Sequence, residues 1–166
     1  MTFETLIRNG FVVDGSGSTD PFPADLGITG DRIAEVGDLS AAEAALEIDA
    51  AGRCVCPGFI DVHVHSEISL LGGRDRFAGP RQGVTTQLLA PDGFGWAGLS
   101  KDRAREMWDY TAFIYPDVDL ALDWPTPEDF LALFPGNSPS NVYPQVPHCA
   151  VRLAAMGWDP RPATDD

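Results

Sequence analysis

The sequence predicts an α/β protein in which a small antiparallel sheet precedes the opening of a parallel α/β structure. Two observations carry this prediction, and they fall on either side of Pro57. Residues 1–56 alternate short apolar runs with turn pairs, which is typical of an antiparallel sheet with one buried face. Residues 57–166 follow the order strand, helix, strand, helix, strand, which favours parallel pairing.

The first part contains four short apolar runs: LIRNG, FVVDG, DLGIT and DRIAEVG. Turn-forming pairs separate or end these runs at Asn9-Gly10, Gly30-Asp31 and Gly37-Asp38. An Asn-Gly pair between apolar runs predicts a hairpin. A further strand is predicted over residues 47–50, after an alanine-rich segment that is also compatible with a helical turn.

Three strands are predicted in the second part: GFIDVHVH, GVTTQLLA and NVYPQVPH. The connection FAGPRQ between the first two has room only for a short helix. The segment KDRAREMWDYTAFIY spaces apolar residues among charges as an amphipathic helix does. Thr126 and Pro127 predict the start of another helix, with threonine as N-cap and proline at the first helical position. Pro135-Gly136 ends it.

Composition excludes several classes of function. Eleven basic residues against 25 acidic ones give a net charge of −14, which repels the phosphates of nucleic acid. No apolar run approaches the roughly 20 residues of a membrane helix. The first residues lack the basic start and long apolar stretch of a secretory signal. Three cysteines, an odd count, are compatible with the reducing cytoplasm, which is the expected compartment.

The candidate chemistry lies at His63 and His65. Residues two apart on a strand face the same side, so the strand GFIDVHVH presents both imidazoles together, with Val62 and Val64 facing the other way. Imidazole is a good ligand for zinc and related ions, and parallel α/β folds place their sites at the carboxyl ends of strands. The alternative is two ordinary histidines of the surface or core.

The string PGFIDVHVHSE, residues 57–67, resembles the signature of the amidohydrolase superfamily, which includes dihydroorotases, hydantoinases, ureases and D-aminoacylases. The strings LIRNGFVVDGSG, ADLGITGDRIAEVGDL and IDAAGRCVCPGFIDVHVH are similar to the N-terminal run of that superfamily. RQGVTTQLLAPDGFGWA and NVYPQVPHCAVRLAAMG resemble the second-strand and third-strand regions of its N-acyl-D-amino-acid deacylases.

This resemblance implies a fold and a metal site. Residues 1–56 would be the N-terminal part of a β-sandwich domain, and residues 57–166 the first three strands of a truncated TIM barrel. His63 and His65 would ligate a divalent metal, with zinc the first choice. Typical D-aminoacylases carry a cysteine ligand after the second strand, and Asp92 stands at that position here. A carboxylate is a harder ligand than a thiolate, which puts metal identity in question. The alternative for Asp92 is a simple Asp-Gly turn.

The implied reaction is metal-assisted hydrolysis of a linear amide C–N bond, with N-acyl-D-amino acids as the substrate class. The general base would be an aspartate beyond residue 166. Because a complete barrel takes about 250 residues, the chain is expected to be an inactive fragment of such an enzyme. Two alternatives stay open: a cyclic-amide hydrolase of the dihydroorotase or hydantoinase kind, and a non-catalytic truncated module.

Two further residues near the candidate site have open roles. Glu67 could orient a ligating histidine or could be a solvated loop acid. His148 is predicted to end the third strand, either facing the pocket or in a structural role, and the structural role is favoured. Lys101 lies in the charged run of a helix, so it is rejected as a metal-bridging lysine.

Overall fold

The computed structural model describes residues 2–73, 75–115 and 118–164. The chain divides into two compact units between Pro57 and Gly58. None of the helices in these ranges has the length and apolar character needed to cross a membrane.

The first unit is one mixed sheet of five strands. They are β1 (Thr2–Val12), β2 (Phe22–Thr29), β3 (Arg32–Gly37), β4 (Glu43–Asp49) and β5 (Cys54–Val55). The order is β3-β2-β1-β4, and β5 also pairs with β1. The prediction of a strand over residues 47–50 is confirmed, since β4 runs to Asp49.

The antiparallel prediction for this sheet is wrong in part. Strand β2 runs antiparallel to β1 and β3, joined to β3 by the predicted turn at Gly30-Asp31, but β4 and β5 run parallel to β1. The chain after β3 crosses the sheet instead of turning back, because Leu39 and Ala42 pack against Phe3 and Leu6. The described part of this unit is therefore a single sheet covered by a crossover.

The hairpin predicted at Asn9-Gly10 is also wrong, because β1 continues through both residues. Asn9 adopts a left-handed backbone, with φ 58, and the pairing with β2 shifts register between Ile7 and Gly10. The Asn9 backbone N–H donates to Asp25 Oδ1 over 2.8 Å. Asparagine tolerates this conformation in a bulge as well as in a turn, so the same pair of residues serves either structure.

The second unit contains a parallel sheet of three strands in the order β6-β7-β8. They are β6 (Phe59–Asp61), β7 (Val84–Leu89) and β8 (Asn141–Pro144). The predicted parallel order is confirmed. Within the described residues of this unit, four helices accompany the sheet: α1 (Glu67–Gly72), α2 (Lys101–Tyr110), α3 (Pro127–Leu131) and α4 (His148–Met156). Short 3-10 turns lie at Pro80–Gln82 and Pro91–Gly93.

Helix α3 begins as predicted. Thr126 is its N-cap, and its hydroxyl accepts from the Asp129 backbone N–H over 3.1 Å. The Asp129 carboxylate accepts from the Thr126 backbone N–H in return, which completes a capping box. Helices α1 and α4 were not predicted, and His148 begins α4 instead of ending a strand.

The core of the second unit lies between the helices and the long connections that follow β7. Its largest fully buried members are Trp96, Ile68, Leu70, Leu89, Leu99 and Met107. The indole N–H of Trp124 donates to the Trp96 carbonyl over 3.0 Å, which ties two connections together inside this core. The sheet itself is poorly covered, because Phe59, Ile60 and Tyr143 are each at least 59% exposed.

Candidate metal centre

The two histidines of the HxH motif lie immediately after β6 and not within it. The predicted strand is shorter than expected and ends at Asp61, whose Oδ1 accepts from the His63 backbone N–H over 3.1 Å. Val62, between the two histidines and Asp61, is 63% exposed. The rings of His63 and His65 nevertheless stay together, with centroids 6.0 Å apart.

Asp92 reaches the histidines from the neighbouring strand. It lies in the 3-10 turn that follows β7, and β7 pairs in parallel with β6. Its Oδ2 is 3.1 Å from His63 Nε2 and 3.4 Å from His65 Nε2. Three residues separated by up to 29 positions therefore converge because parallel strands end at the same edge of the sheet.

The spacing of these three side chains fits a small cation. One donor atom from each lies within 4.8 Å of the others. Ligands bound tetrahedrally at about 2.1 Å from a metal are about 3.4 Å apart, close to both carboxylate–imidazole distances. In the protein alone the same distances describe hydrogen bonds from imidazole N–H groups to a carboxylate. The geometry is compatible with both states, and the ligand role of the three residues stays a prediction.

Glu67 is neither a solvated acid nor a hydrogen-bond partner of a histidine. It opens α1 and is fully buried, and its Oε1 accepts from the Ala90 backbone N–H over 2.5 Å. Glu67 Oε2 and His65 Nδ1 are both buried and have no hydrogen-bond partner among the described residues. Burial raises the pKa of the Glu67 carboxyl above its ordinary value.

Sequence reasoning missed Tyr115, which lies beside Glu67 and His65. Its side chain is buried, and its ring centroid is 6.3 Å from that of His65. Burial, together with the nearby Glu67 carboxylate, raises the pKa of the Tyr115 hydroxyl. No local pattern marks this tyrosine, because its contacts come from a connection 50 residues after His65.

His148, Lys101 and the cysteines of the first unit lie outside the three-residue cluster. His148 is exposed at the start of α4, where its Cβ approaches the turn at Gly93. Lys101 is exposed at the start of α2. Cys54 and Cys56 are exposed free thiols of the first unit.

Several curated proteins are similar to this chain in sequence. No family model matches the chain. The chain is 45% identical over 98 residues to the D-aminoacylase of Alcaligenes xylosoxydans, covering 59% of this chain and 20% of that enzyme. It is 36% identical over 153 residues to the N-acyl-D-glutamate deacylase of the same organism, covering 92% of this chain and 30% of the relative.

Solved structures give the same relationship in three dimensions. The structure of a D-aminoacylase with a binuclear metal centre superimposes on this chain with a TM-score of 0.82 at 34% sequence identity. The superposition covers 98% of this chain and 33% of the other. The chain is a homologue of the D-aminoacylase family. The N-acyl-D-glutamate deacylase of Bordetella bronchiseptica, solved with zinc and a phosphonate inhibitor, superimposes with a TM-score of 0.78 at 29% identity, over 99% of this chain and 33% of that one.

The predicted resemblance is thus confirmed, over a part of each relative. The chain spans between a fifth and a third of the length of the curated deacylase relatives that it matches. Its mixed α/β architecture matches a corresponding part of the D-aminoacylase fold.

Proposed function

We propose that this chain supplies metal ligands to an N-acyl-D-amino-acid deacylase that hydrolyses a linear amide C–N bond. The observation that carries the proposal is the meeting of His63, His65 and Asp92 at the carboxyl ends of two adjacent parallel strands. Relatives with D-aminoacylase and N-acyl-D-glutamate deacylase names support the substrate class.

We also propose that residues 57–166 are the first part of a TIM barrel, and that residues 1–56 belong to a β-sandwich domain. Three parallel strands with helical connections are the expected start of such a barrel. The exposed apolar residues of β6 and β8 support this, because further strands and helices of a barrel would bury Phe59, Ile60 and Tyr143.

The proposed cofactor is a divalent metal, with zinc the first choice. Two imidazoles and one carboxylate form a donor set that zinc accepts, and the distances to Asp92 Oδ2 match ligand spacing around it. The three side chains are partly exposed, so an ion can enter from solvent. A carboxylate is a harder ligand than a thiolate, so the site also suits divalent ions other than zinc.

The described residues would hold the metal ion and shape its surroundings. When bound, the metal ion polarises the substrate carbonyl and makes hydroxide available near neutral pH. Before the metal binds, the Asp92 carboxylate would keep the two imidazoles together by accepting from their Nε2–H groups. Phe94 and Tyr115 pack edge-on against His65 and exclude water from its inner side. A general base would come from an aspartate outside the three described strands.

The first experiment measures metal binding by the chain itself. Zinc affinity is determined by competition with a chromophoric chelator for the wild type and for His63→Ala, His65→Ala and Asp109→Asn. Asp109 is an exposed acid on α2 paired with Arg105, so its substitution is the control for changes outside the site. We expect tight binding in the wild type and control and a large loss in both histidine variants. Equal affinities in all four proteins would contradict the proposed site.

The second experiment tests the reaction. The chain replaces the corresponding part of the Alcaligenes D-aminoacylase, and release of the free amino acid from N-acyl-D-amino acids and from their L-enantiomers is measured. We expect metal-dependent hydrolysis of the D-enantiomer, abolished by His63→Ala. A folded, metal-loaded chimera that hydrolyses neither enantiomer would overturn the proposed substrate class.

Cyclic-amide hydrolysis is the second candidate, favoured by one observation. The chain is 45% identical over 60 residues to the dihydroorotase of Bacillus licheniformis, covering 36% of this chain and 14% of that enzyme. The deacylase relatives match over far more of the chain, so the linear amide is preferred. A metal-bridging lysine on a fourth barrel strand would favour the cyclic amide instead.

The free thiols of Cys54 and Cys56 are compatible with the cytoplasm, which we propose as the compartment. Labelling these thiols in cells without prior reduction would test this.

A further inference from the structure

The turn that carries Asp92 has a backbone conformation that must be held in place. Ala90 has φ 63 and Asp92 has φ 56, so both adopt the left-handed region without being glycine. Such residues cost free energy and persist where the surrounding structure fixes them, which happens often at functional sites. The position of Asp92 therefore depends on whatever fixes Ala90.

Glu67 makes the contact that fixes Ala90. Its Oε1 accepts from the Ala90 backbone N–H across 23 positions of sequence, and the side chain is fully buried. Glu67 also follows His65 by two residues, at the start of α1. One side chain thus connects the histidine segment to the turn of the opposing ligand.

The other side of the turn is closely packed. A Cβ at Gly95 would lie 2.7 Å from the Cβ of Ala90, and one at Gly93 would lie 3.2 Å from the Cβ of His148. This packing confines the turn, but it supplies no acceptor for the Ala90 N–H. An apolar residue at position 67 could fill the same space and would leave that buried donor unpaired, which is costly.

We propose that Glu67 is a positioning residue of the metal site, which acts through Ala90 to hold the Asp92 carboxylate against His63 and His65. The inference rests on the proposed metal-binding function. Glu67 positions Asp92 and not a histidine, because its carboxyl group accepts from the backbone of the turn that carries Asp92. His65 Nδ1 has no hydrogen-bond partner among the described residues.

A double-mutant cycle tests this assignment. Zinc affinity is measured for the wild type, Glu67→Leu, Asp92→Ala and the double variant, with Glu67→Gln as the conservative change. Glu128→Leu, the same substitution at an exposed position of α3, is the control. Tryptophan fluorescence checks folding, since all four tryptophans lie in the second unit.

Glu67→Leu should weaken zinc binding by about 10–100-fold, the usual cost of losing a group that supports a ligand. Glu67→Gln keeps an acceptor for Ala90 and should restore most of the affinity. In the Asp92→Ala background Glu67→Leu should have almost no further effect, because its action passes through Asp92. An equal loss with and without Asp92 would show a general structural role and overturn the proposal.

An NMR measurement without metal separates this inference from the proposed function. A hydrogen bond to a carboxylate moves an amide proton downfield, so the Ala90 signal should shift upfield in Glu67→Leu and by less in Glu67→Gln. If Glu67→Leu fails to fold, the wild type and Glu67→Gln still decide, because the change from a carboxyl to an amide acceptor must move the signal. An unchanged Ala90 signal would refute the contact. A shifted signal in a chain that binds no zinc would refute the metal site alone.

Discussion

Replacing Asp92 by asparagine is the perturbation with the clearest expected size. The variant keeps the shape of the side chain and one carbonyl oxygen but loses the charge shared by His63 and His65. The Asp92 side chain is 53% exposed, so a water-like dielectric gives a lower bound for its attraction to a bound ion. A divalent ion and a carboxylate about 2.1 Å apart then attract by about 4 kcal/mol.

The amide oxygen recovers part of that attraction, so we expect about 100-fold weaker zinc binding, or about 2.8 kcal/mol. The assay is chelator competition at one fixed pH near neutral, with Asp109→Asn as the control that removes a charge from an exposed position of α2. Unchanged folding is checked by tryptophan fluorescence. If Asp92→Asn and the control bind zinc equally well, the Asp92 carboxylate is not a metal ligand. The alternative interpretation, that Asp92 only forms an Asp-Gly turn, would then stand.

Three further predictions concern stability. Thr126→Ala removes the cap of α3 and should lower the free energy of unfolding of the second unit by about 1 kcal/mol. The measurement is urea unfolding followed by tryptophan fluorescence. An unchanged free energy of unfolding would show that the capping box does not stabilise this unit. Gly27→Ala places a Cβ 2.6 Å from the Phe3 ring and should destabilise the first unit by about 1–3 kcal/mol. The measurement is urea unfolding followed by far-UV circular dichroism. An unchanged stability would show that the Phe3 ring moves aside freely. The Arg8 guanidinium lowers the pKa of the Glu47 carboxyl, so this pair stabilises above the ordinary glutamate pKa and is lost as pH falls through the lowered one. Glu47→Gln should therefore make the first unit less sensitive to acid, and an identical acid transition would contradict the pair's contribution.

Elements with a strong local signal were predictable from the sequence. The β-branched run before Ala90 forms β7, and the Thr126-Pro127 start of α3 has the expected cap. Predictions failed where distant contacts decide between local options. Asn9 suits a hairpin or a bulge equally, and only pairing with β2 selects the bulge. The parallel direction of β4 depends on burial of Leu39, which no local pattern reveals.

The site shows the same division between local and distant causes. His63 and His65 were predicted at the carboxyl end of one strand, and the family resemblance placed Asp92 after the next strand. The structure brings the three side chains within contact. The prediction that the histidines lie on the strand itself was wrong, since β6 ends at Asp61. The environment of Glu67 was unpredictable, because its partner is a backbone N–H and a backbone amide carries no residue-type signal.

The most direct test of the metal site is an anomalous difference map at the zinc K edge, from a crystal of the zinc-loaded protein. We predict one strong peak about 2.0–2.2 Å from Nε2 of His63, Nε2 of His65 and Oδ2 of Asp92. A peak only at the exposed thiols of Cys54 and Cys56, or none near the two imidazoles, would contradict it.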